Sequence, residues 1–227
     1  MPLIPTMITQ VERPEAHELA VLAAAGVATV HEAYARTGLM HDLAPVIPDA
    51  VVAGSAVTAL CYTGDNLMVH AALEVVQPGD ILVIAVTAPS THAMVGDLLA
   101  TSCQAKGVTA AVVDAGVRDT QALRQMGFPV WARHIGVAGT VKRDPGWLNI
   151  PVSCGGQVVH PGDAVVADAD GVVVVARSDV TETAQRAQQR IDAELVLREE
   201  MAAGGSSLDR GGRRAVLAEH LGGPQDA

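Results

Sequence analysis

Apolar positions along this chain follow two rhythms. In RPEAHELAVLAAAG (13–26) and VATVHEAYARTG (27–38) they recur every three or four residues, which predicts two helices. Pro14 stands in the first turn of the first helix and Gly26 at its stop; Thr29 is the expected N-cap of the second and Gly38 its close. Further on the rhythm changes. VVAGSAVTALCY (51–62) is rich in β-formers, and ILVIAV (81–86) and VTAAVVDAG (108–116) are short, continuous apolar runs, the pattern of strands buried on both faces. Between them lie GDNLMVHAALEVVQPGD (64–80), opened by Asp65 or Asn66 and broken at Pro78-Gly79, and VGDLLATSCQAKG (95–107), both read as helices. Helix–strand–helix–strand implies an α/β layer with parallel strands.

DTQALRQMG (119–127) reads as a short helix and FPVWARH (128–134) as a strand; from GTVK (139–142) to GVVVV (171–175) the chain reads as strands and turns. VTETAQRAQQRIDAELVLREEMAAGG (180–205) is one long amphipathic helix, and the tail after it is Gly-rich with at most one short helix. The expected organisation is an α/β domain over 1–177, a helical arm over 178–204 and a tail over 205–227. QPGD (77–80) and HPGD (160–163) both lead into Val-rich runs, which we read as a repeated turn chemistry rather than an internal repeat.

Composition narrows the function classes. Aromatics make up 2% of the 227 residues, so the core is built of Val, Ala, Leu and Ile. A mean hydropathy of +0.29 points to apolar surface hidden between subunits or in a doubly covered sheet. A net charge of -10, with no Lys/Arg cluster beyond RGGRR, argues against nucleic acid and anionic membranes as partners. No run reaches the roughly 18 apolar residues of a membrane helix, and the N-terminus lacks the features of a signal peptide. A cytoplasmic protein is expected. Cys61, Cys103 and Cys154 form no CxxC and read as reduced, buried thiols.

Several residues could carry chemistry. Arg118 and Asp119 follow a buried strand, where α/β folds place ligands. Neighbours at a strand end or tight turn point apart, so the two are not expected to pair with each other. The guanidinium suits a carboxylate and the carboxylate a hydrated dication; alternatively Asp119 simply caps the next helix. Gly96 opens VGDLLA, and the free amides of Asp97, Leu98 and Leu99 suit an anion. Glu32 lies beside His31 and four residues before Arg36, with which it could form a surface pair. Glu194 lies on the long helix and could equally be a solvated face. His70, with Met68 and Leu73, reads as packing, His41 and Asp42 as neighbours of the Glu32 helix, and Lys106 and Lys142 as solvated or structural. No HExxH, Walker loop, GxGxxG or GxSxG occurs.

In order, TVHEAYARTGL, GDNLMVHAALEVVQPGDILVIAV, GDLLATSCQAKGVTAAVVDAGVRD, FPVWARH, GTVK, NIPVSCGGQVVHPGDAVVADADGVVVV and AELVLREEMAAG resemble the class II pyruvate aldolases. These cleave 4-hydroxy-4-methyl-2-oxoglutarate and 4-carboxy-4-hydroxy-2-oxoadipate. The likeness runs from about residue 20 to about residue 205 and is sharpest from Gly-Asp-Leu-Leu to Asp-x-Gly-x-Arg-Asp. It implies a swivelling β/β/α sandwich with a long C-terminal helical arm, the fold of the regulator of ribonuclease activity. It also implies a homotrimer or hexamer with clefts between subunits. By the same resemblance Asp119 would hold Mg2+ or Mn2+, and Arg118 would bind the 2-oxo group and its carboxylate. The amides of Gly96, Asp97, Leu98 and Leu99 would cradle the carboxylate. Glu32 would sit nearby, and Glu194 of an adjacent subunit would position a water. A slip of one helical turn would give that last role to Glu199 or Asp192. Retro-aldol cleavage of small 2-oxo acids is then expected, with oxaloacetate decarboxylation as a side activity.

The rival is a non-catalytic trimer of the ribonuclease E regulator type, which the resemblance makes less fitting here. Such regulators can lack an acid after the arginine, and they lack the glutamate-bearing arm.

Overall fold

A computed structural model describes residues 4–221; the last residues of the tail, 222–227, lie outside it. Two compact units are distinguished, one up to Gln188 and one from Gln189 on.

The first unit is built on one large sheet. Its parallel centre is β4 (Val52–Cys61), β5 (Asp80–Val86), β7 (Ala110–Val117) and β8 (Val130–Ile135), in that spatial order. On the β4 side it continues antiparallel through β12 (Ala164–Asp168), β13 (Gly171–Val175) and β2 (Leu39–Met40); β3 (Ala44–Pro45) closes the β8 side. Short strands β1 (Thr6–Met7) and β9 (Trp147–Leu148) pair with each other and β9 with β4, while β6 (Ala93–Val95) runs parallel to the end of β7. β10 (Val152–Cys154) and β11 (Gln157–Val159) form a separate hairpin. The parallel pairing of β4, β5, β7 and β8 follows from the helices between them.

Alternation along these strands divides the core. Val57, Ala59, Leu82, Ile84, Ala111 and Val113 face a layer of helices: α2 (Leu67–Ala72), α3 (Asp97–Ala105) and α4 (Thr120–Met126). The alternate residues Ile81, Val83, Ala110 and Val112 meet Val165, Ala167, Val172 and Val174 of the antiparallel end. The sheet therefore curls back on itself, giving the β/β/α layering expected from the resemblance. α1 (Ala16–Ala33) covers the outer side of the curl, with Leu22, Val27 and Val30 against Val166, Val173 and Val175.

Local differences from the sequence reading have identifiable causes. The two expected N-terminal helices are one helical rod broken at Gly26, whose φ of 75° only glycine adopts readily. The cap of the second half is the Asp168 carboxylate, accepting the Val27 N–H at 2.8 Å, rather than Thr29. The rod ends at Ala33, before Gly38. α2 stops at Ala72 because the N–H groups of Leu73, Glu74 and Val75 bond to the third carbonyl back, tightening the chain into turns. In the two Pro-Gly-Asp turns, Asp80 and Asp163 each accept the N–H three residues back, at 2.7 and 2.8 Å, and glycine takes φ near 90°; the shared chemistry is that of a turn. Cys61, Cys103 and Cys154 are free and buried.

α5 (Val180–Ala202) is the long helix, with Val180, Thr183, Ala184 and Ala187 buried. The second unit comprises its outer turns, a 3₁₀ turn Ser207–Asp209 and α6 (Arg213–Leu221). No described residue of this unit is buried, and Leu195, Val196, Val216 and Leu221 are more than half exposed.

Candidate active site

Arg118 follows the last residue of β7, and β7 pairs with β6, whose own end leads into α3. The N–H of Arg118 donates to the Val95 carbonyl at 3.1 Å, so the two strand ends are locked side by side. Asp119 then takes a left-handed conformation, φ 57° and ψ 34°, uncommon for a non-glycine residue. That conformation turns the side chain back. Its Oδ2 lies 3.3 Å from Arg118 Nε and 3.2 Å from the Asp97 nitrogen, which donates to it. Two expectations are thereby corrected. Arg118 and Asp119 do pair with each other, because the left-handed turn overrides the divergence of neighbours on an extended chain. Nor does the Asp119 side chain cap α4; it spends its oxygen on the start of α3.

Gly96 is the hinge of this cluster. Its backbone is extended (φ -142°), so its need for glycine is spatial rather than conformational. A Cβ there would stand 2.5 Å from Asp119 Oδ2 and 3.0 Å from Arg118 Nε. The space an added methyl would fill is held by the two charged side chains. The amides expected to face an anion are partly engaged: Asp97 N–H on Asp119 and Leu98 N–H on the Asp97 carboxylate, at 2.7 Å. An incoming carboxylate at this helix start would take the place of these protein carboxylates.

A cleft of 160 Å³ opens here, walled by the start of α3 and by Arg118. Its remaining walls come from Ala93 and Met94 of β6, from Asn66 and His70 at α2, and from Gly139, Thr140 and Lys142 of the loop after β8. Apart from the two β6 residues, these segments follow the carboxyl ends of strands β4, β6, β7 and β8, where open α/β sheets place ligands. Asn66 is buried; its amide donates to the Met94 carbonyl at 2.9 Å while its Oδ1 has no partner. The His70 Nε2 is likewise buried without a partner. Burial, and secondarily the Lys142 charge, lower the His70 pKa, so the ring is held neutral. One apolar side chain of the lining is open to solvent: Leu98 is 78% exposed.

His70, expected as packing, and Lys142, expected as solvated or structural, both line the cleft, as do Asn66 and Thr140. The signal was present in the sequence: Asn66 and His70 are four apart on one helix face, and Thr140 and Lys142 belong to the GTVK block. Lys106 pairs instead with Glu74. Glu32 is not among the described residues lining this cleft; both its oxygens lie 3.1 Å from Arg36 Nε. Glu194 belongs to the second unit, 2.9 Å from Arg190. Asp42 does not join the cleft either, because the Arg133 guanidinium holds it at 3.0 Å.

Among the described residues no group of three or more His, Cys, Asp or Glu side chains could cage a metal ion. A closed nitrogen and sulfur site is therefore not the chemistry on offer. One half-exposed carboxylate, Asp119, suits a hard dication that keeps most of its water.

Fold and cleft together define an α/β protein with a polar cleft at its strand ends. A family model described as RraA-like, Aldolase/RraA, matches residues 27–174, and the chain belongs to this family. A Halalkalibacterium halodurans protein named "Putative 4-hydroxy-4-methyl-2-oxoglutarate aldolase" is 34% identical over 154 residues, 68% of this chain and 73% of that one. The crystal structure of Streptomyces coelicolor RraAS2, described as an unusual member of the RNase ES inhibitor RraA protein family, superposes with a TM-score of 0.74 at 29% identity, covering 83% of this chain and 99% of that one. The RNA-processing inhibitor RraA from Thermus thermophilis superposes with a TM-score of 0.59 at 26% identity, covering 65% and 90%. Among the described residues no helix is long and apolar enough to cross a membrane.

Proposed function

We propose that this protein is a divalent-metal-dependent pyruvate aldolase. Its substrates would be 4-hydroxy-4-methyl-2-oxoglutarate, giving two pyruvates, or 4-carboxy-4-hydroxy-2-oxoadipate, giving pyruvate and oxaloacetate. The observation that carries the reading is the convergence of Arg118, Asp119 and the start of α3 on Gly96, at the mouth of the cleft.

Arg118 binds the 2-oxo oxygen and the adjacent carboxylate, and the α3 amides from Gly96 to Leu99 complete the carboxylate cradle. Asp119 would hold Mg2+ or Mn2+, and the bound metal would supply Lewis-acid stabilisation of the developing enolate. A base takes the C4 hydroxyl proton, the C3–C4 bond breaks, and its electron pair passes into the pyruvate enolate. Arg118 keeps a fixed positive charge beside the enolate oxygen, where charge appears only as the bond breaks. A proton returned to C3 then releases pyruvate. Oxaloacetate losing CO2 generates the same enolate, so the site also decarboxylates it.

The base and proton relay come from a second copy of the chain in a trimer or hexamer. Glu194 positions the water, and Glu32 lies close by. The exposed Leu98 of the cleft supports a partner subunit over it, and the unburied helices of the second unit, by themselves, support a packing partner, since helices without a packed face are marginal in water.

The similarity to RraA structures keeps a second reading, a protein-binding regulator of ribonuclease E type. Against it stand the acid after Arg118 and the glutamate-bearing α5. Pyruvate release from oxaloacetate and from a 4-hydroxy-2-oxo acid, followed with and without Mg2+, separates the two. A regulator releases none above background.

A further inference from the structure

Behind the cleft, Asp65 is a buried carboxylate, 2% exposed, satisfied by backbone alone. Its Oδ1 accepts the Leu67 N–H at 2.8 Å, and its Oδ2 accepts those of Arg143 at 2.7 Å and Asp144 at 2.9 Å. Around it the chain segments are sewn together: Val141 N–H donates to the Gly64 carbonyl at 2.9 Å and Asn66 N–H to the Val141 carbonyl at 3.1 Å. Each segment joined this way carries cleft residues, Asn66 and His70 on one side, Thr140 and Lys142 on the other. The loop is otherwise pinned where the Ala93 N–H meets the Ala138 carbonyl, at 2.7 Å, before Thr140. Without the carboxylate, two loop amides and one helix amide lose their acceptor together.

We infer that Asp65 is a positioning residue. It clamps the loop bearing Thr140 and Lys142 to the start of α2, and so sets the cleft wall that receives the part of the substrate beyond its pyruvate half. The inference rests on the proposed aldolase reading for the identity of that substrate part; the clamp itself does not. With Arg118 and the α3 amides holding the pyruvate end, the other described lining is Ala93 and Met94 of β6, which are apolar, and the α2 and loop wall, which carries the polar groups. Its buried, unpartnered Asn66 Oδ1 and His70 Nε2 and the Lys142 ammonium are polar groups suited to a carboxylated or hydroxylated terminus. A wall made from two separate chain segments holds its width only if the segments are tied; the two Val141 backbone bonds join them at one residue, and the Asp65 carboxylate extends the tie to Arg143 and Asp144, past Lys142.

The test is Asp65→Asn, which keeps shape and half the acceptor capacity. KM for the 4-hydroxy-2-oxo acid should rise about tenfold with kcat nearly unchanged, as expected when binding shared by ground and transition states is lost. Oxaloacetate decarboxylation should change little in either constant. Independently of activity, the His70 ring, followed by NMR, should titrate higher in the variant as the loop and Lys142 withdraw. Loss of the Asp65 negative charge alone would push that titration lower, so the direction separates the two causes. An unchanged His70 titration, or a parallel loss of both activities at normal KM, overturns the inference. If the unmodified protein releases no pyruvate, the aldolase reading fails while the His70 titration still decides the clamp. Should Asp65→Asn not fold, amide exchange in the unmodified protein decides it. The Arg143 and Asp144 amides should exchange at least about 100-fold more slowly than unstructured chain, and exchange at the unstructured rate contradicts the clamp.

Discussion

Oδ2 of Asp119 stands 3.2 Å from the backbone nitrogen of Asp97, a contact that ties the end of β7 to the first turn of α3. Through it the carboxylate assigned to the metal and the helix start assigned to the substrate become one unit. Arg118, 3.3 Å from the same oxygen, is held in that unit by charge. Before any ligand arrives cation and anion are held side by side; an arriving carboxylate takes over the Asp97 amide, while Arg118 stays fixed through its backbone bond to Val95, the preset positive charge that stabilising a transient enolate requires.

Gly96→Ala isolates this arrangement from the fold. Alanine is compatible with the extended backbone at Gly96, so thermal stability should change by less than about 1 kcal/mol. Its Cβ, however, would displace Asp119 and Arg118. Pyruvate release should fall at least about 100-fold, and near-normal kcat with an intact melting curve would show that the cluster does not do the chemistry.

Arg118→Ala and Asp119→Asn should each lower kcat by roughly 100- to 1,000-fold while the protein stays folded. Asparagine is the better choice at 119, because it tolerates the left-handed conformation that alanine would strain. Circular dichroism beside steady-state kinetics checks both halves of the expectation.

Chelation should abolish turnover of both substrates, and Mg2+ or Mn2+ should restore it. Since a lone carboxylate holds such an ion weakly, activity should follow added metal over a titratable range rather than survive gel filtration. Turnover that persists in EDTA counts against the scheme.

Stability should decline on mild acidification. Burial, with Lys142 second, lowers the His70 pKa. Between the unfolded value, about 6.5, and the lower native one, the unfolded chain binds the extra proton, so stability is full above that window and lost as pH falls through it. Asp65 acts in the same sense at lower pH. Burial pushes its carboxyl up, but the Asp144, Leu67 and Arg143 amides together outweigh that and hold it below its ordinary value. Its contribution is present above about pH 3.9 and lost as pH falls through the depressed native value. Urea midpoints measured from pH 7.5 to 5 should drop in the natural protein and drop less in His70→Gln.

Burial pushes the Cys61 and Cys103 thiols up to about 12 and Cys154 higher still. Thiolate, the reactive form, is therefore scarce at neutral pH. A thiol reagent should label none of the three in the native protein and all three in denaturant.

Much of this architecture is legible in the sequence because it is written in local pattern. β5 and β7 are continuous apolar runs, α3 and α4 open on identifiable starts, and Arg118 and Asp119 fall at a strand end by position alone. What is not legible depends on distant partners. β1 and β9 are two-residue strands that exist because they pair across the chain. The Val27 cap comes from Asp168, and the room at Gly96 is defined by side chains more than twenty positions away. The return of the Asp119 side chain onto Arg118 requires a positive φ, which aspartate adopts more readily than most residues but still only in a minority of cases. Asn66, His70 and Lys142 carry the bland signals of a cap, a packed ring and a surface lysine, and become a wall only when the loop after β8 reaches across to the segment after β4.

In the proposed reaction the Arg118 guanidinium and a hydrated dication on Asp119 share one oxyanion. Crystals grown with Mg2+ and oxalate, a stand-in for the pyruvate enolate, test it directly. Oxalate should bridge the Arg118 guanidinium and a metal ion held through Asp119, with its far carboxylate against the start of α3. Oxalate bound elsewhere, or a metal ion remote from Asp119, would contradict the account.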